Sequence, residues 1–127
     1  MSAEPFQYAI VRVVPQIERA EFINAGVIVF CRARKYLAAR TELNVERLRS
    51  LDSSADPQAI KAQLVAITSI AAGDPTVGPL AALPQSERFH WLAAPASTVV
   101  QTSPTHSGIC EDPDQTLDHL FKRLVQC

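Results

Sequence analysis

The sequence predicts one α+β domain, with a mostly antiparallel sheet of about four strands and about three helices packed largely on one face. Three observations predict it. Aromatic and β-branched runs crowd the first third of the chain, at 6–14 and 26–31. The apolar repeat then changes from two to nearly four after Asn44. Finally, the pair Asp-Pro occurs twice ahead of an amphipathic stretch, at Asp56-Pro57 and at Asp112-Pro113.

The first strand is expected over Phe6 to Val14, with Pro15 ending it because proline offers no backbone donor. Its alternate residues, Phe6, Tyr8, Ile10, Arg12 and Val14 against Gln7, Ala9, Val11 and Val13, leave neither face wholly polar. Such a strand belongs near the centre of a sheet, with both faces at least partly covered. Gln16 to Ala25 forms a charged connection, and Gly26 to Cys31 reads as a second strand. Gly26 suits a bulge or sharp turn, since glycine reaches backbone angles closed to other residues. Arg32 to Lys35 then makes a polar hairpin turn into a third strand, Tyr36 to Thr41.

Asn44 can cap a short helix to about Leu51, with Leu48 and Leu51 facing inward. After a polar break at Ser53 to Asp56, the carboxylate of Asp56 can accept from orphan amides while Pro57 loses nothing at the first helical position. Ile60, Leu64, Ile67 and Ala71 make one apolar face of this helix, which Gly73 and Asp74-Pro75 end. The segment PTVGPLAALP, 75–84, is too apolar for a solvated loop and reads as a packed crossover. Ser86 can start a helical turn through Trp91, although Arg88 to Leu92 would also suit a strand. Ser97 to Thr102 is a fourth strand, and Ser103 to Glu111 has turn chemistry. Asp112-Pro113, with Gln115 placed for a capping box, opens the last helix, whose buried stripe is Leu117, Leu120, Phe121 and Leu124. Asp112 and Asp114 at its start and Lys122 and Arg123 near its end agree with the helix dipole.

Composition bounds the function. The 127 residues suit one domain, and 47% hydrophobic with 20% charged residues is globular rather than disordered. A net charge of -1 argues against broad nucleic-acid binding, which needs excess positive charge. A local basic patch of Arg32, Arg34, Lys35 and Arg40 would have to share one exposed face. No run approaches the roughly 18 apolar residues of a membrane span, and MSAEPFQYAI lacks a signal-peptide layout, so a cytoplasmic protein is expected. Cys31, Cys110 and Cys127 are widely separated and odd in number, which reads as reduced thiols.

Two polar blocks could carry chemistry. Glu18, Arg19, Glu21 and Asn24 set two carboxylates, a guanidinium and an amide within seven positions, enough to divide acid and base roles, to bind a divalent cation or to orient an anionic group. The plainer reading is a polar loop with Glu–Arg pairs and an Asn bonded to nearby backbone. The second block holds Arg88, His90 and Trp91, then Gln101, Ser103, His106 and Ser107. His106 in a Ser/Thr-rich turn could act as a base or ligand, but an exposed or backbone-bonded histidine is the simpler account. Trp91, beside Phe89 and Leu92, is expected as a core anchor, and His119 on the exposed side of the last helix. Spacing alone supports neither a Cys110–His106 pair nor metal binding by His90, His106 and His119. The sequence contains no phosphate loop, nucleophile elbow or HExxH, so no cofactor and no metal are assigned and an enzyme is not favoured.

Glu18-Arg19, Glu21-Phe22, Asn24 and Gly26-Val27, with Arg88-Phe89, Trp91-Leu92, Pro95, Ser97-Thr98, Gln101, Ser103-Pro104, His106 and Gly108, resemble the bacterial domain-of-unknown-function family 3037 over nearly the whole chain. Ala25 and Ala96 depart from the family pattern, where a larger apolar and a basic residue are expected. The resemblance implies bacterial origin and a HipA-like kinase as a frequent genomic neighbour, hence a possible partner. The resulting expectation is a non-catalytic interaction or regulatory module that could dock through the apolar crossover, Val77 to Leu83. The rival expectation is a small enzyme or ligand-binding domain. It requires Glu18, Arg19, Glu21 and Asn24 to meet Arg88 and His106 in one concave pocket.

Overall fold

A computed structural model of the chain describes residues 2–126, so Cys127 lies outside them. The first two strands, β1 (Glu4–Val13) and β2 (Ile23–Cys31), are antiparallel neighbours joined through a 3-10 turn at Ile17–Arg19. The register slips between Val11 and Arg12: Val11 faces Gly26 and Arg12 faces Asn24, leaving Ala25 as the extra residue of a bulge. The irregularity expected at Gly26 therefore sits one residue earlier. Gly26 itself is needed for space rather than for special angles, because a Cβ there would lie 2.7 Å from the Arg40 carbonyl oxygen on the adjacent strand, β3 (Tyr36–Thr41).

Three helices follow the hairpin. In α1 (Val45–Leu51) the Asn44 side chain accepts from the Arg47 amide, and in α2 (Pro57–Ala72) the Asp56 carboxylate accepts from the amides of Gln58 and Ala59. Gly73 ends α2 with φ 75, a left-handed cap that glycine adopts without strain. The crossover folds as two 3-10 turns, Pro75–Val77 and Pro79–Ala82, which lead into α3 (Gln85–Leu92). The choice left open at Arg88 to Leu92 thus falls to helix.

The chain returns along the free edge of β1 in two pieces. β4 (Val100–Thr102) pairs with Val11 to Val13, and β5 (His106–Cys110) pairs with Glu4 to Tyr8, both antiparallel. Between them the Ser103 hydroxyl accepts from the Ile10 amide at 2.9 Å and the Ser103 amide donates to the Ile10 carbonyl at 2.8 Å. Ser103 therefore carries the ladder across the interruption that Pro104 imposes. The stretch read as turn, Ser103 to Glu111, thus contains a fifth strand. The last helix, α4 (Pro113–Leu124), starts where Asp112 accepts from the amides of Asp114 and Gln115.

Among the described residues the sheet order is β3-β2-β1, with β4 and β5 together on the far edge. Three helices, α1 to α3, pack with Val11, Val13, Ile28 and Phe30 on one face. Helix α4 covers Phe6, Val27 and Val29 on the other, through Leu117 and Phe121. Burial on both faces explains why β1 and β2 carry apolar residues at nearly every position. No helix among the described residues is long and apolar enough to cross a membrane.

Candidate functional site

Glu18 and Arg19 lie on the exposed turn after β1, with Glu21 just beyond it, and the Arg19 guanidinium donates to the Glu21 carboxylate at 2.5 Å. That contact holds the Glu21 carboxyl below the usual carboxylate range. Asn24 is drawn into the sheet, where its amide donates to the Leu124 carbonyl at 3.1 Å and ties the end of α4 to β2. The Arg12 guanidinium, paired in register with Asn24, lies 4.3 Å from the centre of the Phe22 ring.

Arg88 and His106 are elsewhere. Arg88 is only 9% exposed, and its guanidinium donates to the Ala81 carbonyl at 3.1 Å, anchoring the crossover against the end of α2. A Cβ on Gly73 would stand 2.8 Å from that guanidinium, so the glycine also makes room for Arg88. His106 is on the opposite face of the sheet, where its ring lies 5.1 Å from that of its register partner Tyr8. Tyr8 and Val13, which faces Ile23 at the turn end, are five strand positions apart, a distance of about 17 Å. The structure therefore does not gather the six predicted residues into one pocket: the carboxylates stay at one end of the sheet, and Arg88 and His106 occupy different faces.

The other pairings separate on the same grounds. Cys110 is buried in the α4 cluster, and His106, four residues away on one strand, is about 13 Å off. Burial pushes the Cys110 thiol up, which disfavours a nucleophilic thiolate. His90 is on α3 and His119 is exposed on α4, so the three histidines do not meet. Of the basic residues, Arg40 bonds Asp118 at 2.6 Å on the α4 face, while Arg32 lies over Phe30 on the α3 face.

Concavity is found instead around α3. On its α2 side runs an apolar groove of about 400 Å³, with Gln63, Ala66, Ile67 and Ile70 as one wall. Those four sit at i, i+3, i+4 and i+7, a single stripe of α2. Trp91, Leu92, Pro95 and Val100 close the other side. Trp91 is 55% exposed, so the expected core anchor is a surface residue. Helical geometry explains this: Phe89 and Leu92 take the inward face, and Trp91 lies about 200° round the helix from Phe89. Leu83, at the end of the crossover, lines a neighbouring depression together with Trp91.

The family described as "Protein of unknown function (DUF3037)" has a model that matches residues 8–125, from the middle of β1 to the residue after α4. The chain belongs to this family. No curated protein and no solved structure matches it. For this DUF3037 member the groove beside Trp91 has a lining that joins two segments distant in sequence, α2 and 91–102. The contribution of Trp91 was hidden in the sequence by its apolar neighbours. The i, i+3, i+4, i+7 stripe on α2 was readable, but it overlaps the core stripe at Ile67 and therefore reads as one broad apolar face.

Proposed function

We propose that this protein is a non-catalytic interaction module that receives an amphipathic helix of a partner protein in the groove between α2 and α3. The observation that carries this reading is the exposed Trp91 standing over an aliphatic stripe of α2. Side chains at i, i+3, i+4 and i+7 form the ridge against which a further helix packs, and an exposed tryptophan supplies the large, rigid contact that dominates many protein interfaces. The end of the crossover adds to this surface, since the exposed Leu83 borders a neighbouring depression together with Trp91. The HipA-like kinase implied by the family resemblance is the partner to test first.

Two substitutions address the groove without touching the core. Trp91→Ala removes the platform, and Ala66→Arg places a long charged side chain on the exposed wall of α2. Both are expected to abolish co-purification with the kinase while leaving the unfolding midpoint near that of the unmodified chain. Retention of the kinase by both variants would refute the groove as the docking surface.

A further inference from the structure

A second hollow, of about 290 Å³, lies on the other side of α3, between that helix and the sheet. Its floor is apolar: Phe30 and Phe89 stack with ring centres 5.2 Å apart, and Pro95 adjoins them. Its rim is polar, with Gln7, Arg32, Ser86, His90 and Thr105 contributed by four separate parts of the chain. Register explains their convergence. Gln7 faces Phe30 across β1 and β2, Arg32 follows Phe30 by two residues and so shares its side of the sheet, and Ser86 and His90 are four apart on α3.

None of these five side chains has a hydrogen-bonding or ion-pairing partner among the described residues. The Arg32 guanidinium lies over the Phe30 ring, 6.0 Å from its centre. The lining contains a cation and no carboxylate; Glu87 borders the neighbouring depression, which shares Arg32, Ser86 and His90 with this cleft. Ser86 also sits in the first turn of α3, where the helix dipole favours negative charge. A hollow with an aromatic floor and several unpaired donors converging on one side is the usual build of a small-molecule site.

We propose that this cleft binds a small organic oxyanion, whose carboxylate or phosphoryl group is held by Arg32 with Ser86 and Thr105 while its apolar body lies against Phe30, Phe89 and Pro95. A guanidinium fork matches either oxyanion with two parallel hydrogen bonds, so the two share one recognition chemistry. The size of the hollow limits the ligand to a compact molecule. The site is independent of the groove, although Ala94 and Pro95 border both hollows.

The test uses the full chain and three probes with the same ring: benzoate, phenyl phosphate and uncharged benzyl alcohol. Nuclear magnetic resonance titration should show saturable shifts of the His90, Ala94 and Thr105 amides with benzoate or phenyl phosphate at millimolar concentration, and no saturation with benzyl alcohol. The tighter of the two anions identifies the natural oxyanion as carboxylate or phosphoryl. Arg32→Gln should weaken binding at least about tenfold without moving the unfolding midpoint, and Ser86→Ala should weaken it less. Trp91→Ala should leave it unchanged. Equal response to benzyl alcohol, failure of both anions to saturate, or unaltered binding by Arg32→Gln would each overturn the proposal.

Discussion

The groove on the α2 side of α3 and the cleft on its sheet side share Ala94 and Pro95 as a common wall, yet their chemistry is opposite. The groove exposes aliphatic carbon and an indole, whereas the cleft exposes unpaired donors above two stacked rings. One short helix produces both. Arg88, Phe89 and Leu92 point inward, Trp91 turns toward the groove, and Ser86 and His90 turn toward the cleft. Six of its eight residues thus divide among three environments, which teaches that the position of α3, rather than any single motif, is what organises this surface.

Removing the common support should break the comparison most severely. Phe89 is buried, stacks on Phe30 and forms part of the cleft floor, so Phe89→Ala is expected to cost about 3–5 kcal/mol and to erase both hollows. Denaturant unfolding would read the loss, and a change below 1 kcal/mol would contradict the role given to this ring. Arg88→Met comes next. It leaves the Ala81 carbonyl without its donor, for an expected cost of about 1–3 kcal/mol, and frees the crossover that carries Leu83. Amide exchange should accelerate across 75–84 more than across the cleft.

Trp91→Ala separates the two hollows, because the indole lines the groove and not the cleft. Its stability effect should stay within about 0.5 kcal/mol, as for other exposed positions. The smallest effect is expected on the opposite face. Lys122 first, and then Arg40, hold the Asp118 carboxyl below its usual range. A value depressed in the folded state means that this contribution is fully present above the unfolded carboxylate value, about 3.9, and is lost as pH falls through the folded one. Asp118→Asn should therefore flatten the acid limb of the stability profile slightly, leaving partner binding and anion binding unchanged.

Much of the fold was legible because local signals and apolar periods agreed. Tyr36 to Thr41 is a strand with the expected ends, and Asp56-Pro57 and Asp112-Pro113 start helices through the carboxylate bonds that the residue types imply. The fifth strand was not legible, since His106, Ser107 and Gly108 have little intrinsic preference for extended structure. The open edge of β1 recruits them, and Gly108 is required there because a Cβ would lie 2.6 Å from the Phe6 ring. The placement of α4 on its own face was equally hidden, because an amphipathic stripe does not say which side of a sheet it meets.

The candidate site was less legible than the fold. Glu18, Arg19, Glu21 and Asn24 were conspicuous as a cluster in sequence, but two of them satisfy each other in solvent and Asn24 fastens a helix end. Gln7, Arg32, Ser86 and Thr105 were inconspicuous because they come from separate elements, and only the pairing of β1 with β2 and the direction of α3 bring them to one hollow. Sequence clustering marks neighbours along the chain, whereas a pocket collects neighbours across it.

The docking role of the groove is tested most directly by measuring the affinity of the full chain for the HipA-like kinase, alongside Trp91→Ala and Arg32→Gln. Micromolar or tighter binding is predicted for the unmodified chain, with a loss of at least about tenfold for Trp91→Ala, as expected of a central aromatic contact, and none for Arg32→Gln. Binding that Trp91→Ala leaves intact, or no association at micromolar concentration, would contradict the account.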